Sequence, residues 1–330
     1  MRKQSVLVLV TLLILGLVAG CFPPAAPAPD APPAIRVTSP PNPNALPLLL
    51  ALADPPADLT IEFVPAPGVP ELAALVQGDQ VDVALFFSAA GAKQYNQEAL
   101  PQLRLWNVNV WRALYLVTDP DVQSFEDLLG KKILASFPGG APDLVMRAAM
   151  RAAGYDPDAD FVIEYLPSAQ VQQLLLAGEG DAALLPQPQA GMVVQRGQQQ
   201  DLALAPTIDL QAGFGAEAWP EGQAPLGGVF VTQATLDDPD RRAAFLRFVE
   251  VYDQAVTQLG SDPQAGAEAV SAGFSQHFGG QMPAQAIVNA IDGGFLSYAS
   301  RPVGDLRPDL DRFLENVIGQ APDDGFYGQP

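Results

Sequence analysis

The chain of 330 residues holds one cysteine, Cys21, and one histidine, His277. A single cysteine closes no intramolecular disulfide and builds no zinc knuckle. No His-Glu-x-x-His, Gly-x-Ser-x-Gly or Walker sequence occurs, so zinc hydrolysis, a serine-histidine relay and P-loop phosphate chemistry all lack their residues. His277, just before Gly279-Gly280, reads as a helix-end residue. The fragment Gly213-Phe214-Gly215 lacks the strand and helix that a dinucleotide loop requires. Cations are scarce as well: 17 Lys and Arg stand against 37 Asp and Glu, a net charge of −20. Nucleic-acid phosphates need clustered Lys and Arg, so that class is disfavoured, and the acidic excess reads as a solvated surface. Carboxylates are numerous enough for a glycosidase pair, yet nothing selects one. Asp82 and Asp181, each after a glycine turn at the mouth of a strand, are expected to stabilise those turns.

No apolar run reaches the roughly 20 residues of a membrane span. The one from Val6 to Val18 follows Arg2 and Lys3 and ends at Ala19-Gly20, the charged, apolar and small-residue regions of a secretory signal over residues 1–20. Cys21 follows directly and resembles the lipobox of bacterial lipoproteins, whose cysteine carries lipid and becomes the new N-terminus. From Phe22 to Pro33 the chain is almost all Pro and Ala, an extended stalk with no capacity for a packed core.

What the remaining chain does contain is an internal echo. Ile61-Glu62-Phe63-Val64-Pro65 leads into the helical Glu71–Val76, then Gly78, then Asp82-Val83-Ala84-Leu85. Ile163-Glu164-Tyr165-Leu166-Pro167 leads into Val171–Leu176, then Gly178, then Asp181–Leu185. Upstream of each copy a short strand (Ile35 to Thr38; Ile133 to Ser136) runs through a turn into an apolar helix (Ala45 to Ala53; Ala141 to Ala153). A repeat of about one hundred residues is too long for a solenoid unit. Two similar α/β lobes fit it, and the chain is long enough for two cores.

Strand-like runs at 34–38, 59–64, 81–86, 103–110, 113–118, 131–136, 161–166, 181–185 and 227–232 alternate with helical stretches, many of them apolar on both faces. Such runs suit a mostly parallel sheet covered by helices on both sides. The last third is mainly helical, over Pro239–Leu259, Asp262–His277, Ala284–Ile291 and Arg307–Ile318. In the first of these Phe245, Phe248, Val249, Tyr252 and Val256 form one inward stripe and belong to the core. The chain crosses between lobes at Asn107–Thr118 and returns at Leu226–Thr232, so lobe 1 is expected to comprise 34–115 with 227–330, and lobe 2 116–226.

In such a fold ligands lie at the carboxyl ends of the strands, near helix N-termini. Four loops qualify: Ser39–Asn44, Phe86–Ala89, Ser136–Ala141 and Pro186–Gln189. The candidates for ligand contact are Ser39, Asn42, Asn44, Phe87, Ser88, Asn109, Trp111, Ser136, Phe137, Gly139, Gly140, Ala141, Gln187 and Phe214. Each has a plain structural reading beside this one: Ser39, Asn44 and Ser88 as helix caps, Gly139-Gly140 as a turn, the aromatics as core. Arg112 is expected to pair with a carboxylate rather than to meet an anion.

At this point the residues resemble a family, the periplasmic substrate-binding proteins of ABC importers, of the nitrate/sulfonate/taurine type. Phe125-Glu126-Asp127-Leu128-Leu129-Gly130-Lys131-Lys132-Ile133 looks like the family's opening of the second lobe. Pro138-Gly139-Gly140-Ala141-Pro142-Asp143-Leu144 matches its ligand loop, and Gly178 with Asp181–Pro186 its glycine-turn strand. One departure matters: members often carry Glu-Pro where this chain has Gln187-Pro188, so a carboxylate contact there does not carry over. The resemblance implies a two-lobed fold of type II with two hinge crossings. It implies a non-enzymatic receptor without a cofactor or metal, commonly a monomer, exported and tethered through Cys21 to the outer face of the cell membrane. Such a receptor closes on a small organic anion and delivers it to a permease. Two other readings stay open: a binding protein for a neutral aromatic or thiamine-precursor-like heterocycle, stacked on Phe87, Trp111, Phe137 and Phe214, and a non-transport enzyme on the same fold.

Overall fold

The computed structural model describes residues 32–328. The signal at 1–20, Cys21 and most of the Pro/Ala stalk lie outside the described residues. Where the sequence is apolar on both faces, strands form and are covered on both sides. β1 (Ala34–Ser39), β2 (Thr60–Pro65) and β3 (Val83–Phe87) are joined by α1 (Ala45–Ala53) and α2 (Val69–Gln77), and α3 (Ser88–Asn96) follows. The second copy repeats the order with β6 (Lys132–Ala135), α4 (Ala141–Ala152), β7 (Val162–Tyr165), α5 (Ser168–Leu176), β8 (Ala182–Pro186) and α6 (Gln189–Gln198).

The repeat persists down to single hydrogen bonds. In the first copy the Arg36 amide donates to Asp82 Oδ2 at 2.9 Å and the Asp82 amide returns a bond to the Arg36 carbonyl at 2.8 Å. In the second, the Lys132 amide donates to Asp181 Oδ2 at 2.8 Å and the Asp181 amide to the Lys132 carbonyl at 2.9 Å. Each aspartate thus pins the third strand of its copy to the first, where both strands begin. The sequence reading assigned both aspartates to their glycine turns; the geometry instead ties each carboxylate to the neighbouring strand.

The sheets are mixed rather than mostly parallel, which corrects the sequence expectation. The first has the order β11-β4-β10-β3-β1-β2 and the second β7-β6-β8-β5-β9, with β4 (Leu103–Arg112), β5 (Leu114–Thr118), β9 (Ala205–Asp209), β10 (Gly227–Thr232) and β11 (Ser297–Pro302). β1 pairs in parallel with β2 and β3, and β6 with β7 and β8. The pairings made by β10 and β5 are antiparallel. The reason is topological: helical crossovers return the chain to the same edge and give parallel neighbours, whereas β10 and β5 arrive from the other sheet and run the opposite way. The first crossing falls at Ala113, because β5 starts at Leu114 in the second sheet. The expected boundary at 115/116 therefore cuts into β5.

After β10 the chain adds α7 (Gln233–Asp237), α8 (Pro239–Ser261), α9 (Pro263–Phe278), α10 (Ala284–Asp292) and α11 (Asp309–Ile318). Asp238 caps α8 by accepting from the amides of Asp240 and Arg241. Phe245, Phe248, Tyr252 and Val256 on its inward stripe are fully buried. α8 and α9 pack on α1, and α8 packs on β11. A satellite core of Val117, Leu134, Val171, Leu175, Ala183, Leu185, Ala190 and Val193 fills one side of the second sheet.

Candidate ligand site at the joint of the two sheets

The strand registers fix where the four loops meet. Phe87, the last residue of β3, lies opposite Gly227, the first of β10, and Gly227 lies opposite Val110 near the end of β4. Pro186, the last residue of β8, lies opposite Leu114, the first of β5. The carboxyl ends of the parallel strands in both sheets therefore abut the crossings. The crossings are bonded to each other, with the amides of Ala224 and Leu226 donating to the carbonyls of Trp111 at 2.8 Å and Val110 at 2.9 Å.

On the side of the first sheet the loop after β1 is buried and internally bonded. Ser39 Oγ lies 2.8 Å from the Leu85 carbonyl, joining the loop to β3. Asn42 Oδ1 accepts from the amide and side chain of Asn44 at 2.8 and 3.0 Å, an Asx turn that aims α1. Tyr252 and Tyr298 donate to the carbonyls of Asn44 and Pro43 at 2.8 and 2.7 Å. Asn109 Nδ2 donates to the Tyr252 hydroxyl. Burial, opposed by the Asn109 bond, pushes the Tyr252 phenol far above its ordinary range, and burial does the same to Tyr298, so both remain neutral donors. The amide oxygens of Asn44 and Asn109 are buried without a protein partner.

Ser88 opens α3, and its hydroxyl is committed to the Pro225 carbonyl rather than to the helix end. Phe87 beside it is nine-tenths buried. On the side of the second sheet the loop Ser136–Ala141 is built differently. Phe137 has φ +55° and Gly139 φ +70°, and the Gly140 amide closes the turn onto the Phe137 carbonyl at 2.8 Å. The Gly139 amide donates to Asp143 Oδ2 at 2.7 Å. Asp143 is held in turn by Tyr165 Oη at 2.7 Å and Arg147 Nε at 3.1 Å, so the loop is braced from behind. Phe137 itself is 62 % exposed. Ser136 is half-buried, and Ala141 starts α4. Gln187 is buried, its amide donating to the Ala113 carbonyl at 2.7 Å and its Oε1 accepting from Gly191 at 3.3 Å.

Three of the four expected stacking aromatics, Phe87, Trp111 and Phe214, are packed as core. Trp111 is fully buried, donates to the Ala299 carbonyl at 2.6 Å and lies under Arg301. Phe214 sits edge-on against Phe313. Arg112 pairs with Asp209, with Nε 2.9 Å from Oδ2, and donates to the Gly294 carbonyl at 2.9 Å. This is the carboxylate pairing expected from sequence. Beside it a cavity of about 310 Å³ opens between the hinge and the first lobe, lined among others by Arg112, Gln223, Gly294, Ser297 and Tyr298.

Three contributors were not singled out from sequence. Tyr252 was read only as core. Gln211 is fully buried at the crossing, where its Oε1 accepts from the amides of Ala113 at 3.0 Å and Leu114 at 2.6 Å and its Nε2 donates to the Leu114 carbonyl at 2.8 Å. Lys93 of α3 reaches the second lobe, its Nζ 2.8 Å from the Gly139 carbonyl. The one available signal was that Lys93 is the sole cation in the helix opened by a candidate loop.

Residues 47–208 match the family described as ABC transporter, phosphonate, periplasmic substrate-binding protein. No curated protein matches the chain in sequence. Among solved structures the chain is similar to the periplasmic aliphatic sulphonate binding protein SsuA from Escherichia coli, with 17 % identity and a TM-score of 0.63 over 91 % of this chain and 93 % of that one. It is similar to the periplasmic nitrate-binding protein NrtA from Synechocystis, with 16 % identity and a TM-score of 0.64 over 88 % of this chain and 82 % of that one. An ABC transporter protein from Parabacteroides distasonis shares 18 % identity and a TM-score of 0.64 over 90 % of this chain and 99 % of that one. At these identities the likeness establishes the fold.

Proposed function

The chain belongs to the periplasmic substrate-binding proteins of ABC transporters, and from that premise we propose that it is a receptor for a small organic anion, of the sulfonate, phosphonate or nitrate kind, held at the joint of its two lobes. The observation that carries this reading is the convergence of the strand ends: Phe87 and Pro186 both lie opposite the hinge, so the loops that open α3 and α6 share that joint, and Lys93 of α3 reaches the Gly139 carbonyl in the loop that opens α4. Helix N-termini offer amides and positive dipole ends, and an oxyanion is what they hold best. Ser136, Phe137 and the Gly139-Gly140-Ala141 backbone form the second-lobe side. Asn44 and Asn109 stand on the first-lobe side, with the Asn44 carbonyl and the Asn109 amide both bonded to Tyr252.

In this reading the chain does no chemistry; it closes, carries and releases to a membrane permease, as a monomer. Ligand contacts from both lobes shift the hinge equilibrium toward the closed state. Cys21 carries the lipid that keeps the receptor at the outer face of the membrane. A thermal-shift screen of methanesulfonate, taurine, methylphosphonate and nitrate against neutral heterocycles tests the ligand class, since a ligand bound only by the folded state raises the melting temperature. The expected result is stabilisation by one of the anions. Stabilisation by a heterocycle alone transfers the site to the exposed ring of Phe137, and turnover of any probe makes the protein an enzyme.

A further inference from the structure

Lys93 joins the two lobes. It belongs to α3, which follows β3 of the first sheet, and its ammonium donates to the carbonyl of Gly139, in the loop that follows β6 of the second. The same region brings α3 and α11 against α4. The guanidinium groups nearby are matched by carboxylates: Arg112 by Asp209, and Arg147 by Asp143 and Asp158. Lys93 has no ion-pair partner among the described residues, and its ammonium bonds a neutral carbonyl instead. An ammonium carries three donors, and one bond to a carbonyl leaves two of them and the whole charge uncompensated.

The acceptor is made for this approach. Gly139 has φ +70°, and a Cβ on it would lie 3.1 Å from Lys93 Nζ, so any larger residue would strain the turn and crowd the ammonium. The bond from the Gly139 amide to Asp143 fixes the loop from the far side. The carbonyl is thereby presented to the first lobe as a rigid target.

We propose that Lys93 is the specificity-determining cation of this receptor: an ammonium on one lobe that latches to the Gly139 loop of the other and sets a single positive charge where α4 begins. The proposal rests on the anion reading above and narrows it. One uncompensated charge suits a monoanion, such as a sulfonate or a singly ionised phosphonate, and a neutral analogue gains nothing from it.

The test uses the full chain, Lys93→Met and Lys93→Arg. Methanesulfonate and its neutral counterpart dimethyl sulfone are titrated calorimetrically, and spin labels on exposed Asp54 and Glu179, one in each lobe, report the interlobe distance. In Lys93→Met the affinity for methanesulfonate is expected to fall about tenfold or more, the loss of one charge-assisted hydrogen bond. The ligand-free distance distribution is expected to move to longer values, and Lys93→Arg is expected to restore both. A Lys93→Met protein that binds methanesulfonate within about twofold of the parent overturns the proposal while the anion reading stands. A parent chain that binds no anion removes that reading, and the specificity role with it.

Discussion

Asp82 is the most heavily bonded carboxylate among the described residues. It accepts from the Arg36 amide and guanidinium, from Thr235 Oγ1 at 3.0 Å and from Arg241 Nε at 2.8 Å. Burial raises its pKa, but the bonds from Arg36 and Arg241 outweigh that and hold it below the usual carboxylate range. A folded pKa below the unfolded value means that Asp82 stabilises the fold above about pH 4 and loses that contribution as pH falls through the folded value. Asp82→Asn is expected to cost about 2–3 kcal/mol at pH 7, because two arginines lose a charged acceptor. The penalty in urea denaturation should shrink toward pH 3. Asp181 has the same amide bond without the paired arginines, so Asp181→Asn should cost less, about 1 kcal/mol. Gly91 makes a different kind of prediction. A Cβ there would lie 2.3 Å from Phe230 Cζ, so Gly91→Ala is expected to destabilise by about 1–3 kcal/mol through overpacking. Adding Phe230→Leu should recover part of the loss, read as a double-mutant cycle in denaturant midpoints.

At the scale of elements, the crossing between β4 and β5 needs support because a chain that changes sheets leaves its ladder. The amides of Ala113 and Leu114 would be orphaned there, and the buried side chain of Gln211 takes both. Gln211→Leu keeps the volume and removes the acceptor, leaving two buried donors unmet at about 1–3 kcal/mol each. Faster hydrogen exchange at Ala113 and Leu114 than in β8 is the expected signature. Sequence gave little sign of this brace, since a glutamine in a loop has no periodicity to betray its burial. The elements that were legible are those with a pattern: the two α/β copies, the parallel strands with apolar runs, and the α8 stripe. β9 and β11 were missed for a physical reason. Ala205-Pro206-Thr207-Ile208-Asp209 carries a proline and Ser297-Tyr298-Ala299-Ser300-Arg301-Pro302 is largely polar. Both are outer strands of their sheets, where one neighbour is enough and apolar content is not demanded.

For the molecule as a whole, the sequence revealed the duplication and the places of the four loops, and it could not reveal which side chains were already spent. Ser39 and Ser88, chosen as candidate ligand contacts, are engaged with carbonyls of their own chain, while Lys93, which was not singled out from sequence, spans the lobes. Partners separated by 46 residues or more along the chain, as Lys93 and Gly139 are, leave no local trace. The mixed sheets have the same origin, because the strands that run backwards are those that come from elsewhere in the chain.

The place of β10 between β3 and β4 carries a further consequence for biogenesis. Val83–Phe87 is buried along its whole length, yet one of its two flanking partners is Gly227–Thr232, synthesised about 140 residues later. A nascent chain leaving the export channel must hold a sticky, half-paired ribbon open while the intervening lobe is delivered and shut. A version stopped at residue 226 is expected to precipitate or stay on chaperones, and supplying 227–330 as a separate piece during refolding should rescue it, as followed by light scattering.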